Sequence, residues 1–198
     1  MTRVHYYPSF PFGDLHFALL KKQLPRITWA LSEGDIALLD SNAPQRVETV
    51  QEQKVLAVNP IIQRNKQSQK MPIYLKSPFL TKALLKRSLK YKLDVFLDSY
   101  AYPNKISQEF KSEAKKILSN YDIWKEILLS KYKVRDQSKV FVDKTVFVLN
   151  NPEDPLRSAE NLSYASKTIK YQAPHGLLAY SENDWLTLNS LLQDLSQI

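Results

Sequence analysis

The sequence predicts an α/β fold in which a mostly parallel sheet carries helices on both faces. Three observations predict it. Short apolar runs of strand length alternate with helically spaced segments at both ends of the chain, which is the pattern of βαβ units. The middle breaks that pattern with a long, basic, helical stretch that reads as an insertion. At 198 residues with 43% hydrophobic content, the chain can fill the core of one domain.

The elements follow in order. Arg3–Tyr7 reads as a strand, and Pro8 to Gly13 as a loop punctuated by Pro and Gly. Asp14 is placed to cap a helix reaching Gln23, with Leu15, Ala18, Leu19 and Leu20 on its apolar face and Pro25 stopping it. Ile27-Thr28-Trp29-Ala30-Leu31 is an apolar, β-prone run. Ile36-Ala37-Leu38-Leu39 reads as helical, ending by Pro44, and Val55-Leu56-Ala57-Val58 as a buried strand closed by Asn59-Pro60. From about Phe79 to Tyr132 the spacing is helical: Leu80, Leu84, Leu85 and Leu89, then Phe110, Ala114, Ile117 and Leu118, then Ile123, Trp124, Ile127 and Leu128, with Pro103 separating the pieces. Thr145–Leu149 is a strand, Ser158–Ser166 a helix and Thr168–Tyr171 a strand. Ser181 opens a last helix with Trp185, Leu186, Leu188, Leu191, Leu192 and Leu195 on its apolar face. The expected organisation is a core from 1–62 and 140–198 with a basic helical cap from 63–139.

Composition narrows the chemistry. There is no Cys, so disulfides and thiolate metal sites are excluded, and the three histidines (His5, His16, His175) have no metal-ligand spacing; no metal and no cofactor is expected. The three glycines, Gly13, Gly34 and Gly176, form neither a dinucleotide nor a P-loop fingerprint. No apolar run reaches the ~20 residues of a membrane span, and Met1 to His5 lacks a secretory leader's basic-then-apolar layout, so a cytoplasmic protein is expected. The formal charge is +8, and residues 61–140 carry 18 Lys and Arg against 7 Asp and Glu. That segment suits an acidic partner, although a solvated lysine-rich helix face has the same composition.

The candidate chemistry lies in an ordered trio. Ser32 sits in Ala30-Leu31-Ser32-Glu33-Gly34, a near match to the nucleophile elbow G-x-S-x-G. Asp154 follows the apolar run Val146–Leu149 in a Pro-flanked turn, with Glu153 as a rival acid, and His175 precedes Gly176 after a second β-like stretch. A serine hydroxyl needs a base to take its proton, and the base needs an acid to hold its tautomer. The N–H of Glu33, directly after the serine, would be one oxyanion donor, and Phe10 on the first loop the other. Taken singly, each motif also has a bland reading: a chance x-x-S-x-G, a capping Asp, a loop His-Gly.

The chain resembles the α/β-hydrolases. The resemblance rests on Ala37-Leu38-Leu39, Pro44-Gln45-Arg46-Val47, Val55-Leu56 and Asn59-Pro60 after the serine, on Val146–Ile198 as the family's acid turn, helix, strand, histidine loop and terminal helix, and on Tyr7 to Gly13 as an oxyanion loop with Phe10 at the aromatic position. It implies an abbreviated α/β-hydrolase fold and a serine carboxylic ester hydrolase working through an acyl-serine intermediate. The short form resembles the compact pimeloyl-acyl-carrier-protein methyl ester esterases of biotin synthesis, which implies an acidic acyl carrier protein as substrate carrier. Lys82, Lys86, Arg87, Lys90 and Lys92 would meet it. Three residues depart from the family pattern: Pro11 in the oxyanion loop, Glu33 after the serine and Asp35 at a small-residue position. A thioesterase or acyltransferase would use the same trio. A non-catalytic protein binding nucleic acid through Tyr91, Tyr100, Tyr102 and Tyr121 among the basic residues is the alternative from another class, without a recognised nucleic-acid motif to support it.

Overall fold

The computed structural model describes residues 2–41, 43–60, 93–130, 138–156 and 164–198. Among the described residues six strands form one sheet: β1 (Arg3–Tyr7), β2 (Thr28–Ala30), β3 (Ile36–Leu39), β4 (Lys54–Val58), β5 (Thr145–Asn150) and β6 (Lys167–Lys170), in the spatial order β2-β1-β3-β4-β5-β6. Every pairing is parallel, with Val4 opposite Ile36, Ala37 opposite Val55, Val55 opposite Val146, and Val148 opposite Thr168. The helices are α1 (Gly13–Gln23), the short α2 (Ala43–Arg46), a helical stretch over 93–101, α3 (Gln108–Leu118), α4 (Tyr121–Ser130) and α5 (Glu182–Gln197).

Successive side chains of a strand point to opposite faces, so a sheet covered on both sides needs apolar residues at every position. The central strands have them. Val4, Tyr6, Ile36, Leu38, Leu56, Val58, Phe147 and Leu149 enter one core cluster, which α1, α5, the 93–101 helix, α3 and α4 complete through Leu20, Leu188, Leu192, Leu97, Leu118 and Trp124. Ala37, Leu39, Val55, Ala57, Val146 and Val148 enter a smaller cluster on the other face, with Ala43 of α2 and Val140 and Phe141 of a 3₁₀ turn. The helices between β4 and β5 therefore share the principal core with the sheet.

Among the described residues, one element differs in kind from the expectation. Ile36–Leu39 is a central strand, buried at all four positions, and not a helix. A four-residue run that is apolar throughout has no period, and only the sheet around it decides its state. The remaining elements within the described residues fall close to their expected places. Asp14 is not the cap of α1: it lies in the first turn, behind Phe12. Ser181 does cap α5, in a reciprocal capping box with Asp184, whose carboxylate also accepts from Asn104 Nδ2 at 2.9 Å. The helix expected at Ser158–Ser166 lies largely outside the described residues.

Residues 31–35 carry the chain from β2 across β1 to β3. Gly34 makes this possible: a Cβ there would lie 2.8 Å from both Arg3 O and His5 N. Asp35 N donates to Arg3 O at 2.7 Å and the Asp35 carboxylate accepts from Arg3 N at 2.7 Å, so the crossing hugs the first half of β1. Gly34→Ala should lower unfolding stability by about 2 kcal/mol, the usual cost of overpacking against backbone, read as a shifted midpoint in urea denaturation.

Candidate active site

Strand order reverses between β1 and β3. The chain runs outward from β1 to β2, returns past β1 to β3, and then proceeds in one direction to β6. In open parallel sheets the crevice beyond the carboxyl ends of the strands at such a reversal is where ligands are held. The segments that emerge there are Pro8–Phe12 after β1, Asp40-Ser41 after β3, Asn59-Pro60 after β4, Asn151–Leu156 after β5 and Ala173–Gly176 after β6.

Two of the expected site residues meet there. His175 Nδ1–H donates to Asp154 Oδ2 at 2.6 Å, with the histidine 3% and the aspartate 6% exposed. The other Asp154 oxygen accepts from the Leu156 N–H at 2.8 Å, which fixes the carboxylate. Among the described residues, the His175 Nε2 has no hydrogen-bond partner. The rival acid Glu153 is exposed and takes Gln172 Nε2 at 3.0 Å instead.

A pair of asparagines holds the loops that carry this contact. Asn59, at φ 40°, donates from Nδ2 to Pro174 O at 2.9 Å and accepts from Asn151 N–H at 2.7 Å. Asn151 Nδ2 donates to Ala173 O at 2.8 Å, and its Oδ1 accepts from Glu153 N–H at 2.9 Å. The end of β4, the acid turn and the histidine loop are thus tied directly to one another. The sequence reading missed both asparagines. Their signal was the pair of apolar strands ending in Asn-Pro and Asn-Asn-Pro, at positions where short polar side chains satisfy turn backbone.

Ser32 is not brought to this pair. It is exposed on the crossing from β2 to β3, at the level of the first half of β1, whereas Asp154 and His175 follow the carboxyl ends of β5 and β6. Glu33 lies on the same exposed crossing, away from any oxyanion position. Gly34, taken from sequence as the elbow glycine, serves the close approach to β1 instead. Phe10 does lie at the crevice, after β1, with the Arg46 guanidinium 4.6 Å above its ring and Arg46 paired to Glu126 of α4 at 2.6 Å. Lys82, Lys86, Arg87, Lys90 and Lys92 lie outside the described residues.

Besides Pro8–Phe12, between β1 and α1, a second strand-to-helix turn at the crevice carries Leu39-Asp40-Ser41, between β3 and α2. Ser41 is 1% exposed, and its Oγ donates to Asp40 Oδ1 at 3.3 Å. The chain order Ser41, Asp154, His175 is that of a hydrolase triad. Neither glycine of the elbow pattern is present here, where Leu39 and Ala43 stand, whereas Ser32 has Gly34 at the second glycine position.

Beside Ser41 lies a buried polar network. Asp40 Oδ2 accepts from Tyr6 Oη at 2.7 Å and from His16 Nδ1, and its Oδ1 accepts from the Ser41 N–H at 2.8 Å. His16, on α1 and fully buried, meets the Tyr100 hydroxyl through Nε2. With both ring nitrogens engaged, His16 has none left to act as a base. Burial alone would raise the Asp40 carboxyl, but attraction to His16 and the hydrogen bonds from His16, Tyr6 and Ser41 outweigh it and bring it to about 2. Burial, reinforced by the Asp40 charge, pushes the Tyr100 and Tyr180 hydroxyls well up, so both keep their protons.

Comparison with solved structures gives the architecture its name. A bromoperoxidase from Bacillus anthracis matches 96% of this chain over 91% of its own, with a TM-score of 0.56 and 11% sequence identity. The fold is that of an α/β-hydrolase. No family model matches the sequence, and no curated protein matches it. At such low identity the hydrolase likeness is one of architecture, and the chemistry has to come from this chain's own side chains.

The depressed Asp40 carboxyl makes a prediction about folding. A carboxyl held lower in the folded chain than in the unfolded one adds stability above the unfolded value of ~3.9 and loses it as pH falls toward the folded value. The unfolding free energy should therefore fall by about 2 kcal/mol between roughly pH 4 and pH 2 through this group. Asp40→Asn should flatten that interval in urea titrations run at each pH.

Proposed function

We propose that the chain is a serine hydrolase of carboxylic esters, with Ser41 as nucleophile, His175 as base and Asp154 as its acid. The observation that carries this reading is the buried Asp154–His175 pair at the carboxyl edge of the sheet, which leaves Nε2 unpartnered among the described residues. Ser41 Oγ would attack the ester carbonyl carbon while His175 Nε2 takes its proton. Asp154 keeps Nδ1 protonated and stabilises the imidazolium that forms. The alcohol leaves with the proton returned from Nε2, and water then releases the acid from acyl-Ser41 by the same steps. Phe10 would be an oxyanion donor through its backbone N–H. Ser32 and Glu33 have no part in this version.

The substrate we propose is an ester presented by an acidic carrier protein, of the kind of a pimeloyl-acyl-carrier-protein methyl ester. What supports it is the charge of residues 61–140, 18 basic against 7 acidic. Thioester hydrolysis and acyl transfer share the acyl-serine step and differ only in leaving group or acceptor.

One observation favours a second reading, a hydrolase fold that binds without catalysing. A nucleophile elbow is a sharp, strained turn, yet among the described residues the only non-glycine positions at positive φ are Asn59 and Asp143. In this reading the basic segment, engaging an acidic protein or nucleic acid, is the working surface.

Labelling with a fluorophosphonate probe and mass spectrometry of the adduct separates the two. The expected result is an adduct on Ser41 that His175→Ala abolishes and Ser32→Ala leaves intact. A folded protein with no adduct supports the non-catalytic reading. For the carrier version, reversing charge at Lys86 and Arg87 should raise KM for a carrier-bound ester at least tenfold while cleavage of p-nitrophenyl butyrate is unchanged. Equal effects on both substrates would remove the carrier from the proposal.

A further inference from the structure

We propose that Tyr100 is a positioning residue for the His175 base, pinned in place by the buried Asp40–His16 pair; this rests on the reading of His175 as the base. Tyr100 belongs to the helix over 93–101, between β4 and β5, and is 3% exposed. It touches the histidine loop in three ways. Its carbonyl accepts the Gly176 N–H at 3.3 Å. Its ring stands edge-on to the His175 imidazole, with centroids 5.8 Å apart and an interplanar angle of 63°. It also fills the space a side chain at 176 would need, since a Cβ there would fall 1.6 Å from Tyr100 Cζ.

Gly176 therefore owes its identity to Tyr100. Its backbone is extended, at φ −115° and ψ 141°, a conformation open to any residue. What excludes a side chain is the ring. Asp154 holds one end of the His175 imidazole through Nδ1, Tyr100 walls one side of it, and together they set the direction of Nε2.

The hydroxyl end of Tyr100 is held just as firmly. It meets His16 Nε2, and His16 Nδ1 donates to Asp40, the residue before Ser41. Phe12 and Phe96 pack against the ring at 5.2 and 6.1 Å. A core needing only bulk here would be served by Phe at position 100 without burying a hydroxyl, an imidazole and a carboxylate. Instead these polar groups form one line that starts at the turn carrying Ser41 and ends against the base. The side chain that joins the two ends comes from the helical region.

The test uses the full chain with p-nitrophenyl butyrate as substrate, together with ¹⁵N NMR of the imidazoles, which only three histidines make simple to assign. Tyr100→Phe keeps the ring and frees it from His16, and Tyr100→Leu removes the wall. We expect kcat to fall about tenfold and about a hundredfold respectively, the range for lost support of a site residue, with KM unchanged. The His175 ¹⁵N signals should shift in Tyr100→Phe and also in His16→Gln, although neither altered atom touches His175. A tyrosine that only fills space would leave those signals in place, and unchanged His175 signals in folded Tyr100→Phe and His16→Gln would overturn the proposal. The NMR readout does not depend on turnover. If His175→Ala leaves ester cleavage intact, the hydrolase reading fails, while the His175 signals still decide whether Tyr100 positions that ring.

Discussion

Strand direction is the constraint on which the rest of this structure depends. All six described strands run the same way, so every strand delivers its following loop to one edge of the sheet and receives its preceding loop from the other. The buried Asp154–His175 contact, the asparagine ties between loops, and the turn carrying Ser41 all occupy the delivering edge. The crossing from β2 to β3 falls short of it, because β2 ends level with His5 and the chain then turns back along the first half of β1. How far each strand runs before its loop begins, more than motif, separates Ser41 from Ser32.

The sequence made much of this legible, for identifiable reasons. Asp154 and His175 could be read because each follows a strand with enough apolar or β-prone character to be recognised alone, and each sits in a turn whose chemistry is local. Ser41, the serine proposed as nucleophile, could not be read the same way. Its strand, Ile36–Leu39, is four residues long and apolar at every position, so no alternation marks it. The turn around Ser41 holds neither glycine of the elbow pattern, while the β2–β3 crossing holds one, close against the backbone of Arg3 and His5. Asn59, Asn151, Tyr100 and His16 went unnoticed as a set because their partners lie up to 115 residues away along the chain, beyond any local pattern.

The buried polar groups under the crevice have an energetic logic. Tyr6, His16, Asp40 and Tyr100 bring two hydroxyls, an imidazole and a carboxylate into the principal core. Such groups are tolerated in an apolar interior when each finds a partner, and here Asp40 collects most of them. Removing one member would strand the others, so the network is stiff. That stiffness links α1, the end of β3 and the 93–101 helix. Tyr6 and Tyr100 are themselves members of the larger core cluster.

The two outer strands carry a consequence for how copies of the chain meet. An unpaired strand offers backbone donors and acceptors to any passing chain, and proteins blunt that hazard with short strands and charge. Here β2 has only three residues to offer, held between Arg26 and an exposed turn. β6 begins and ends in lysine, and Lys167 lies over the Phe147 ring, 5.1 Å from its centre. A second copy docking strand to strand on β6 would bring like charges together along the seam. Edge-to-edge stacking of sheets into a filament is therefore disfavoured at both described margins of this molecule.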